Sequence, residues 1–122
     1  MGYESKCYVG HRGQFELFEG VNYIYFERFA NFYLGKMGCV KKGTYFNEVF
    51  KNEVDFPVDH TEDGTEIYDD CYGKRCKYAT VEEVIEWLDG SDVLCEWWKA
   101  KAFYDFLLSV RGMGLIVVHF GY

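Results

Sequence analysis

The sequence has little proline, no long apolar run and no internal repeat. Its single proline, Pro57, leaves no proline-rich linker that could separate two domains. The apolar runs fall well short of the about 20 residues that a membrane-spanning helix requires. A length of 122 residues is usual for one domain. We therefore predict a single domain, residues 1–122, without membrane contact.

The chain also lacks the sequence features of a secreted protein. No apolar signal segment precedes the strand-like pattern that begins at Tyr3. The cysteines, at positions 7, 39, 71, 76 and 95, are odd in number. We expect a reduced, cytosolic protein with free thiols. Aromatic residues make up 20% of the chain and supply the burial that a core without disulfides requires.

Basic residues are missing from one part of the chain. Residues 53–70, EVDFPVDHTEDGTEIYDD, contain eight carboxylates and no lysine or arginine. The net charge of the whole chain is −7, so this acidic stretch accounts for the net acidity to within one charge. A nucleic-acid-binding surface requires clustered lysine and arginine. The charge distribution therefore argues against direct binding of nucleic acid.

Strand patterns dominate the first half of the chain. The alternation in YESKCYVGH (3–11) places Cys7 and Val9 on one face of a strand and Tyr8 on the other. Gly10 and Gly13 predict a loop after it. Residues 21–37 suit a strand by composition and a helix by apolar spacing, and we favour a strand in the second half at least. The type of residues 44–50 is left open.

Turn and cap signals predict the order of the remaining elements. Asp63-Gly64 is a hairpin dipeptide, and its flanks, 54–58 and 66–68, are expected to pair as a short ribbon. Thr80 and Glu83 form a capping box that starts a helix. The apolar stripe of this helix and its predicted left-handed end are Val81, Val84, Ile85, Leu88 and Gly90.

A second helix and a terminal strand complete the predicted fold. The helix is expected to start at Ser91 or Asp92 and to end at Arg111 and Gly112, and its apolar face comprises Val93, Trp97, Ala100, Tyr104 and Leu107. LIVVHF (115–120) predicts a buried terminal strand. We therefore predict an α+β fold, a mostly antiparallel sheet with two helices of the C-terminal half packed on one face.

Metal sites receive little support from the sequence. The spacing of acidic residues from Asp59 to Asp70 resembles a calcium loop, but Thr61 stands where the loop requires Asp or Asn and Asp70 where it requires Glu. A zinc site could be drawn from Cys39, His60, Cys71 and Cys76, although no second cysteine pair follows at a regular interval. We expect no metal and no cofactor.

Catalytic and DNA-binding motifs are equally weak. Lys74 and Arg75 could activate the Cys76 thiol, while His119 lies in an apolar strand where a structural histidine is the usual role. The sequence has no nucleophile elbow, phosphate loop or dinucleotide fingerprint. Two helices joined by residues 89–92 resemble a helix-turn-helix, but the rings of the second, Trp97, Trp98, Phe103 and Phe106, are better interpreted as core. We predict a protein that is not an enzyme.

The acidic stretch is the best candidate for a functional surface. As a solvated loop it would only keep the protein soluble. If the Asp63-Gly64 turn holds the carboxylates in a fixed array, their repulsion would be relieved by a positively charged partner. Both interpretations stay open. The predicted partner-binding residues are Asp59, Glu62, Asp63, Glu66, Tyr68, Asp69, Asp70 and Tyr72, with the two tyrosines as packing anchors.

Both ends and the middle of the chain resemble a known family. MGYESKCYVG, GLIVVHFGY and DDCYGKRCKYATVEEVIEWL are similar to segments of a family of small bacteriophage and prophage proteins, most of them uncharacterised. These motifs are structural and imply no active site. The resemblance implies a phage protein in the host cytoplasm. In that setting small acidic proteins often block a host protein, and inhibitors of defence nucleases such as CRISPR–Cas enzymes are a frequent case.

Three functional hypotheses follow. The first is an anti-defence inhibitor, monomer or homodimer, that presents acidic residues to the basic nucleic-acid groove of a host protein. The second is a sponge for a nucleotide signal, with cations drawn from Arg12, Lys41, Lys42, Lys74 and Arg75 beside tyrosine rings. The third is a small metal- or thiol-dependent enzyme that uses Cys76.

Overall fold

The structure is a computed structural model that describes residues 5–35, 37, 40–41, 44–59, 66–69, 74–91 and 97–121. The first strands are β1 (Ser5–Phe18), β2 (Val21–Gly35), β3 (Val40–Lys41) and β4 (Thr44–Tyr45), followed by a 3₁₀ turn, Phe46–Val49. Four short strands come next: β5 (Asn52–Glu53), β6 (Val58–Asp59), β7 (Glu66–Ile67) and β8 (Lys77–Thr80). Helix α1 (Val81–Asp89), helix α2 (Trp98–Ser109) and strand β9 (Ile116–Gly121) complete the order.

Five strands form one antiparallel sheet in the order β2-β1-β9-β8-β5. β9 lies at its centre between β1 and β8, which confirms the buried terminal strand predicted from LIVVHF. Two further antiparallel pairs, β3-β4 and β6-β7, lie outside this sheet. The predicted α+β class is confirmed, and 44–50 proves to be a strand end followed by a 3₁₀ turn.

The first hairpin is longer than the sequence predicts. β1 continues through Gly10 and Gly13 to Phe18, so the predicted loop after residue 11 is wrong. A Cβ on Gly10 would overlap the carbonyl oxygen of Glu27, and one on Gly13 would overlap the ring of Tyr25. The two glycines therefore serve close cross-strand approach within a strand and not a turn. The chain turns at Glu19-Gly20 instead, with a positive φ of 75° at Gly20.

The capping box of α1 is confirmed. Glu83 N–H donates to Thr80 Oγ1, and Thr80 N–H donates to Glu83 Oε1, both at 3.1 Å. The predicted left-handed conformation of Gly90 is wrong, since its φ is −102°. The Ser91 N–H and hydroxyl both donate to the Leu88 carbonyl at 3.0 Å, so the last turn is satisfied without a left-handed residue.

Helix α2 begins later than predicted. Trp97 was expected on its apolar face, yet it is extended, with φ −131°, and precedes the helix. Its indole Nε1–H donates to the carbonyl of Leu34 at 2.7 Å, which joins the helix start to β2. Trp98, predicted to lie in the core, is 70% exposed, whereas the predicted core position of Phe103 is confirmed. Val93 and Asp92 lie outside the described residues.

Apolar clusters cover both faces of the sheet. The helix face, which carries Cys7 and Val9, packs against the buried residues of α1 and α2. On the opposite face Tyr8, Val118 and Phe120 pack against Val54, Phe56 and Val58 of the acidic stretch, together with Cys76 and Ile116. The predicted alternation of β1 and the placement of both helices on one face are confirmed. None of the described helices is long and apolar enough to cross a membrane.

Candidate functional site: the acidic stretch and an aromatic arm

Alternating apolar residues anchor the first third of the acidic stretch. Val54, Phe56 and Val58 are buried, while Glu53 and Asp55 between them are exposed. Phe56 stacks on Phe26 of β2 with ring centroids 5.1 Å apart. Burial of side chains of this size contributes about 1.5–3 kcal/mol each. The beginning of the stretch is therefore part of the core and not a solvated loop.

Residues 75 and 76 join the two ends of the acidic stretch. The Val54 N–H donates to the Cys76 carbonyl, and the Cys76 N–H donates to the Tyr68 carbonyl, both at 3.0 Å. Arg75 Nη1 donates to the Val54 carbonyl at 2.9 Å, and Asp69 pairs with Arg75 as an isolated β-bridge. The stretch is thus closed at its base by backbone hydrogen bonds.

The predicted ribbon within the stretch is confirmed in part: of the predicted flank 54–58 only Val58 pairs, and the ribbon extends to Asp59. β6 and β7 are antiparallel, and their register places Asp59 directly opposite Glu66 and Val58 opposite Ile67. The register brings together two of the predicted partner-binding residues. The segment between these strands, with Glu62, Asp63 and the predicted Asp63-Gly64 turn, lies outside the described residues. Two other predicted partner-binding residues, Asp70 and Tyr72, follow β7 and also lie outside the described residues.

Two arginines from outside the stretch neutralise part of its charge. Arg12 Nε donates to Asp55 Oδ1 at 2.9 Å, and its Nη2 contacts the other carboxylate oxygen, so the pair is bidentate. Hydrogen bonding by Arg12, followed by its charge, lowers the pKa of Asp55 below its usual value, although partial burial opposes this. Arg75 lies 3.8 Å from Asp69. Sequence reasoning missed both pairs because they join residues that no local pattern connects.

Tyr68 and Asp69 remain accessible at the base of the stretch. The Tyr68 ring is 43% exposed, and the Arg75 guanidinium lies over it, 4.9 Å from the centroid. Asp69 is also exposed. The one predicted anchor that the structure describes, Tyr68, is therefore held in place by Arg75 and still presents part of its ring to solvent.

The residues of the alternative hypotheses are engaged elsewhere or lie outside the described residues. Cys76 is 2% exposed within the second-face cluster, while Cys39, His60 and Cys71 are not described. In the part of the chain that the structure describes, no three metal-ligating side chains lie together. Burial also raises the pKa of the Cys7 thiol far above its usual range.

The histidine and two of the cations considered for the alternative functions also have contacts within the fold. His119 is buried, with Nε2 2.9 Å from Ser5 Oγ and its ring stacked on Phe50, as the structural role predicts. Of the cations suggested for a nucleotide pocket, Arg12 and Arg75 are engaged with carboxylates of the acidic stretch. The structure does not describe Lys42 or the side chain of Lys41.

A second accessible surface was missed by sequence reasoning. Residues 11–27 form the distal part of the β1-β2 hairpin, beyond the pairing of β1 with β9, which stops at Gly10. We call this segment the arm. Its large exposed apolar side chains are Phe15, Leu17, Phe18, Val21 and Tyr23. Composition alone cannot separate exposed from buried rings, and the Glu19-Gly20 turn is a weaker hairpin signal than Asp-Gly.

Comparisons with protein-family models, with curated proteins and with solved structures find no match to this chain.

Proposed function

We propose that the protein is a non-enzymatic, phage-encoded inhibitor that binds a host protein and presents the acidic stretch to its basic nucleic-acid groove. The observation that carries the proposal is the closure of the stretch by Arg75 and Cys76. A closed, core-anchored stretch loses less conformational entropy on binding than a free loop. The phage origin follows from the resemblance, and the basic groove from the charge.

The register of the ribbon supports a cationic partner. Like charges directly opposite each other on paired strands are destabilising, and Asp59 stands opposite Glu66. A lysine- or arginine-rich surface would relieve that repulsion, and acidic residues on the protein would accelerate the encounter with such a surface. The internal pairs with Arg12 and Arg75 engage Asp55 and Asp69 at the base. We assign the ribbon positions Asp59 and Glu66 to the partner because the register places these two acidic residues opposite each other.

Affinity capture from a lysate of host bacteria, followed by mass spectrometry and a competition assay, tests the proposal. The immobilised chain should enrich a nucleic-acid-binding protein, and reversing the ribbon charges with Asp59→Lys and Glu66→Lys should reduce that enrichment about tenfold. The captured protein, once purified with labelled DNA bound, should release that DNA when the chain is added. The melting temperature of the double variant should stay close to that of the wild type, because both residues lie outside the main sheet.

A matched control separates location from net charge. Glu86→Lys and Asp105→Lys make the same charge change at exposed positions of α1 and α2. This control should capture the same protein as the wild type. The proposal fails if the ribbon variant captures that protein as well as the control does, or if DNA stays bound in the competition assay.

A further inference from the structure

The arm exposes a row of aromatic rings on one face only. Phe15 lies opposite Tyr23, and Gly13 lies opposite Tyr25, so these rings share a face of the hairpin. Phe15 and Tyr23 have ring centroids 5.2 Å apart, and Tyr23 stacks on Tyr25 at 6.1 Å with an interplanar angle of 17°. Phe15 is 49% exposed, and Phe18 near the tip is 67% exposed. Contiguous exposed apolar patches of this kind mark interaction sites.

The row continues the face of the sheet that the helices cover. Cys7 and Val9 lie on that face, and the alternation of β1 carries it to Phe15, since the irregularity between Val9 and Gly10 adds its extra residue, Phe29, to β2 and not to β1. Phe29 of β2 stacks on Phe106 of α2, and among the described residues the helix-face cluster contains no residue of the arm. On the opposite face of the arm, Ile24 and Phe26 pack against the second-face cluster, so that face is partly covered. The aromatic row is therefore an open face of the arm in the part of the chain that the structure describes, with Tyr23 47% exposed.

Charge around the row identifies its occupant. Glu27 lies opposite His11 on the face of the row and Glu19 lies at the turn, whereas Glu16 alternates to the other face; the one arginine of the arm, Arg12, is paired with Asp55. Glu16 accepts a hydrogen bond from the Gly20 N–H at 3.1 Å, which holds its carboxylate at the turn. In a dimer formed through this surface, the carboxylates of one copy would lie near those of the other copy and repel them, because a twofold contact uses the same surface twice. Nucleic acids and anionic membranes would be repelled likewise.

A guanidinium group matches this combination of rings and carboxylates. Arginine stacks on aromatic faces and forms bidentate pairs with carboxylates, whereas lysine is a strongly hydrated point charge. We infer that the aromatic face of the arm docks an arginine-rich segment of a partner protein. The inference shares a cationic partner with the proposed function. It rests on different residues, however, because the acidic stretch is anchored on the opposite face of the sheet.

Peptide titrations of the intact, ¹⁵N-labelled chain test the inference. The probes are an eight-residue peptide of alternating arginine and glycine, the same peptide with lysine for arginine, and a single-stranded DNA oligonucleotide. We expect the arginine peptide to shift the amide signals of Phe15, Tyr23 and Tyr25, and to bind about fivefold more tightly than the lysine peptide. The oligonucleotide should leave these signals unchanged.

Two double variants test separately whether the rings and the carboxylates of the arm contribute to binding of the peptides. Phe15→Ser with Tyr23→Ser should weaken binding of the arginine peptide about tenfold and abolish its advantage over lysine. Glu19→Gln with Glu27→Gln keeps every ring, so it tests the carboxylates at the turn and on the face of the row without altering the apolar side chains. It should weaken binding of both peptides severalfold. Amide signals outside the arm report whether each variant remains folded.

The possible results separate this inference from the proposed function. Arginine-peptide shifts confined to residues 53–59 and 66–69 overturn the inference and leave the acidic stretch as the contact surface. Shifts on the arm that persist in the ribbon variant Asp59→Lys with Glu66→Lys support the inference alone. Oligonucleotide shifts on the arm, equal affinities of the two peptides, or dimers in sedimentation that the Phe15→Ser, Tyr23→Ser variant abolishes would each overturn it.

Discussion

The pair of Arg12 and Asp55 shows how much a single contact contributes to the candidate site. It joins the arm to the first part of the acidic stretch, 43 residues further along the chain. Its two side chains are 28% and 46% exposed, so solvent screens the pair. A bidentate arginine–carboxylate pair nevertheless has better geometry than most surface ion pairs. We therefore expect a measurable but small contribution to stability, and a characteristic pH dependence.

Replacement of Arg12 by glutamine should destabilise the protein by about 0.2–1 kcal/mol at pH 7. Asp55 has a lowered pKa in the folded state, mainly because Arg12 hydrogen-bonds to it. The stabilisation is therefore present above the unfolded pKa of about 4 and is lost as pH falls through the lower, folded value. Urea denaturation of the wild type and Arg12→Gln at pH 7, 5 and 3.5 measures the difference.

Asp55→Asn and the double variant complete a thermodynamic cycle for this pair. The coupling between the two side chains should be largest at pH 7 and should begin to shrink by pH 3.5, where the Asp55 carboxyl of the unfolded chain, with a pKa of about 4, is largely protonated. A coupling that does not change with pH would contradict the electrostatic origin assigned to this contact.

At the scale of elements, the sequence predicted correctly the features that depend on residues close together in the chain. The capping box joins Thr80 to Glu83, three positions further along the chain, and it is confirmed in detail. The length of β1 was missed because Gly10 and Gly13 favour loops in isolation, whereas here they admit Phe26 and Tyr25 from the neighbouring strand. The closure of the acidic stretch depends on Arg75 and on cross-strand hydrogen bonds, which no short pattern encodes.

Arg75 is expected to control the order of the acidic stretch. It donates to the Val54 carbonyl, lies beside Asp69 and covers the Tyr68 ring. Arg75→Ala should therefore increase amide exchange at Val54 and Cys76, whose N–H groups donate the hydrogen bonds at the base, about fivefold to tenfold, because the base of the stretch opens more often. Hydrogen exchange followed by NMR at pH 7 measures this effect.

Lys51→Ala is the matched control, since it removes one exposed positive charge just before the same segment. It should leave these exchange rates unchanged. Exchange in β9 should be similar in both variants, because Arg75 makes its contacts outside that strand. Equal protection of the acidic stretch in Arg75→Ala and Lys51→Ala would show that the backbone hydrogen bonds alone close it.

At the scale of the molecule, one sheet contributes residues to two apolar clusters, one on each of its faces. Alternation along β1 sends Cys7 and Val9 to the helix face and Tyr8 to the opposite face. Sequence analysis predicted the helix face correctly because the two predicted helices each have an apolar stripe that can pack on the apolar face of the sheet. The cover of the opposite face was unforeseen. It consists of Val54, Phe56 and Val58, whose apolar character is hidden by the charges between them.

The shared strands lead to a prediction about cooperativity. Because β1 and β9 contribute to both clusters, neither cluster can lose its packing without disturbing the other, and the chain should unfold in a single transition. Phe103→Ala in the helix-face cluster and Phe56→Ala in the second-face cluster each remove a fully buried ring. Each should cost about 3–5 kcal/mol and lower the same melting temperature.

Tryptophan fluorescence distinguishes this outcome from independent unfolding. Trp87 and Trp97 belong to or pack against the helix-face cluster, so their emission reports on that side. If the sheet couples the clusters, Phe56→Ala will lower the tryptophan-monitored midpoint as much as the midpoint seen by far-ultraviolet circular dichroism. A tryptophan midpoint that stays at the wild-type value in Phe56→Ala would mean that the clusters melt separately. The prediction of a single domain over residues 1–122 would then be wrong.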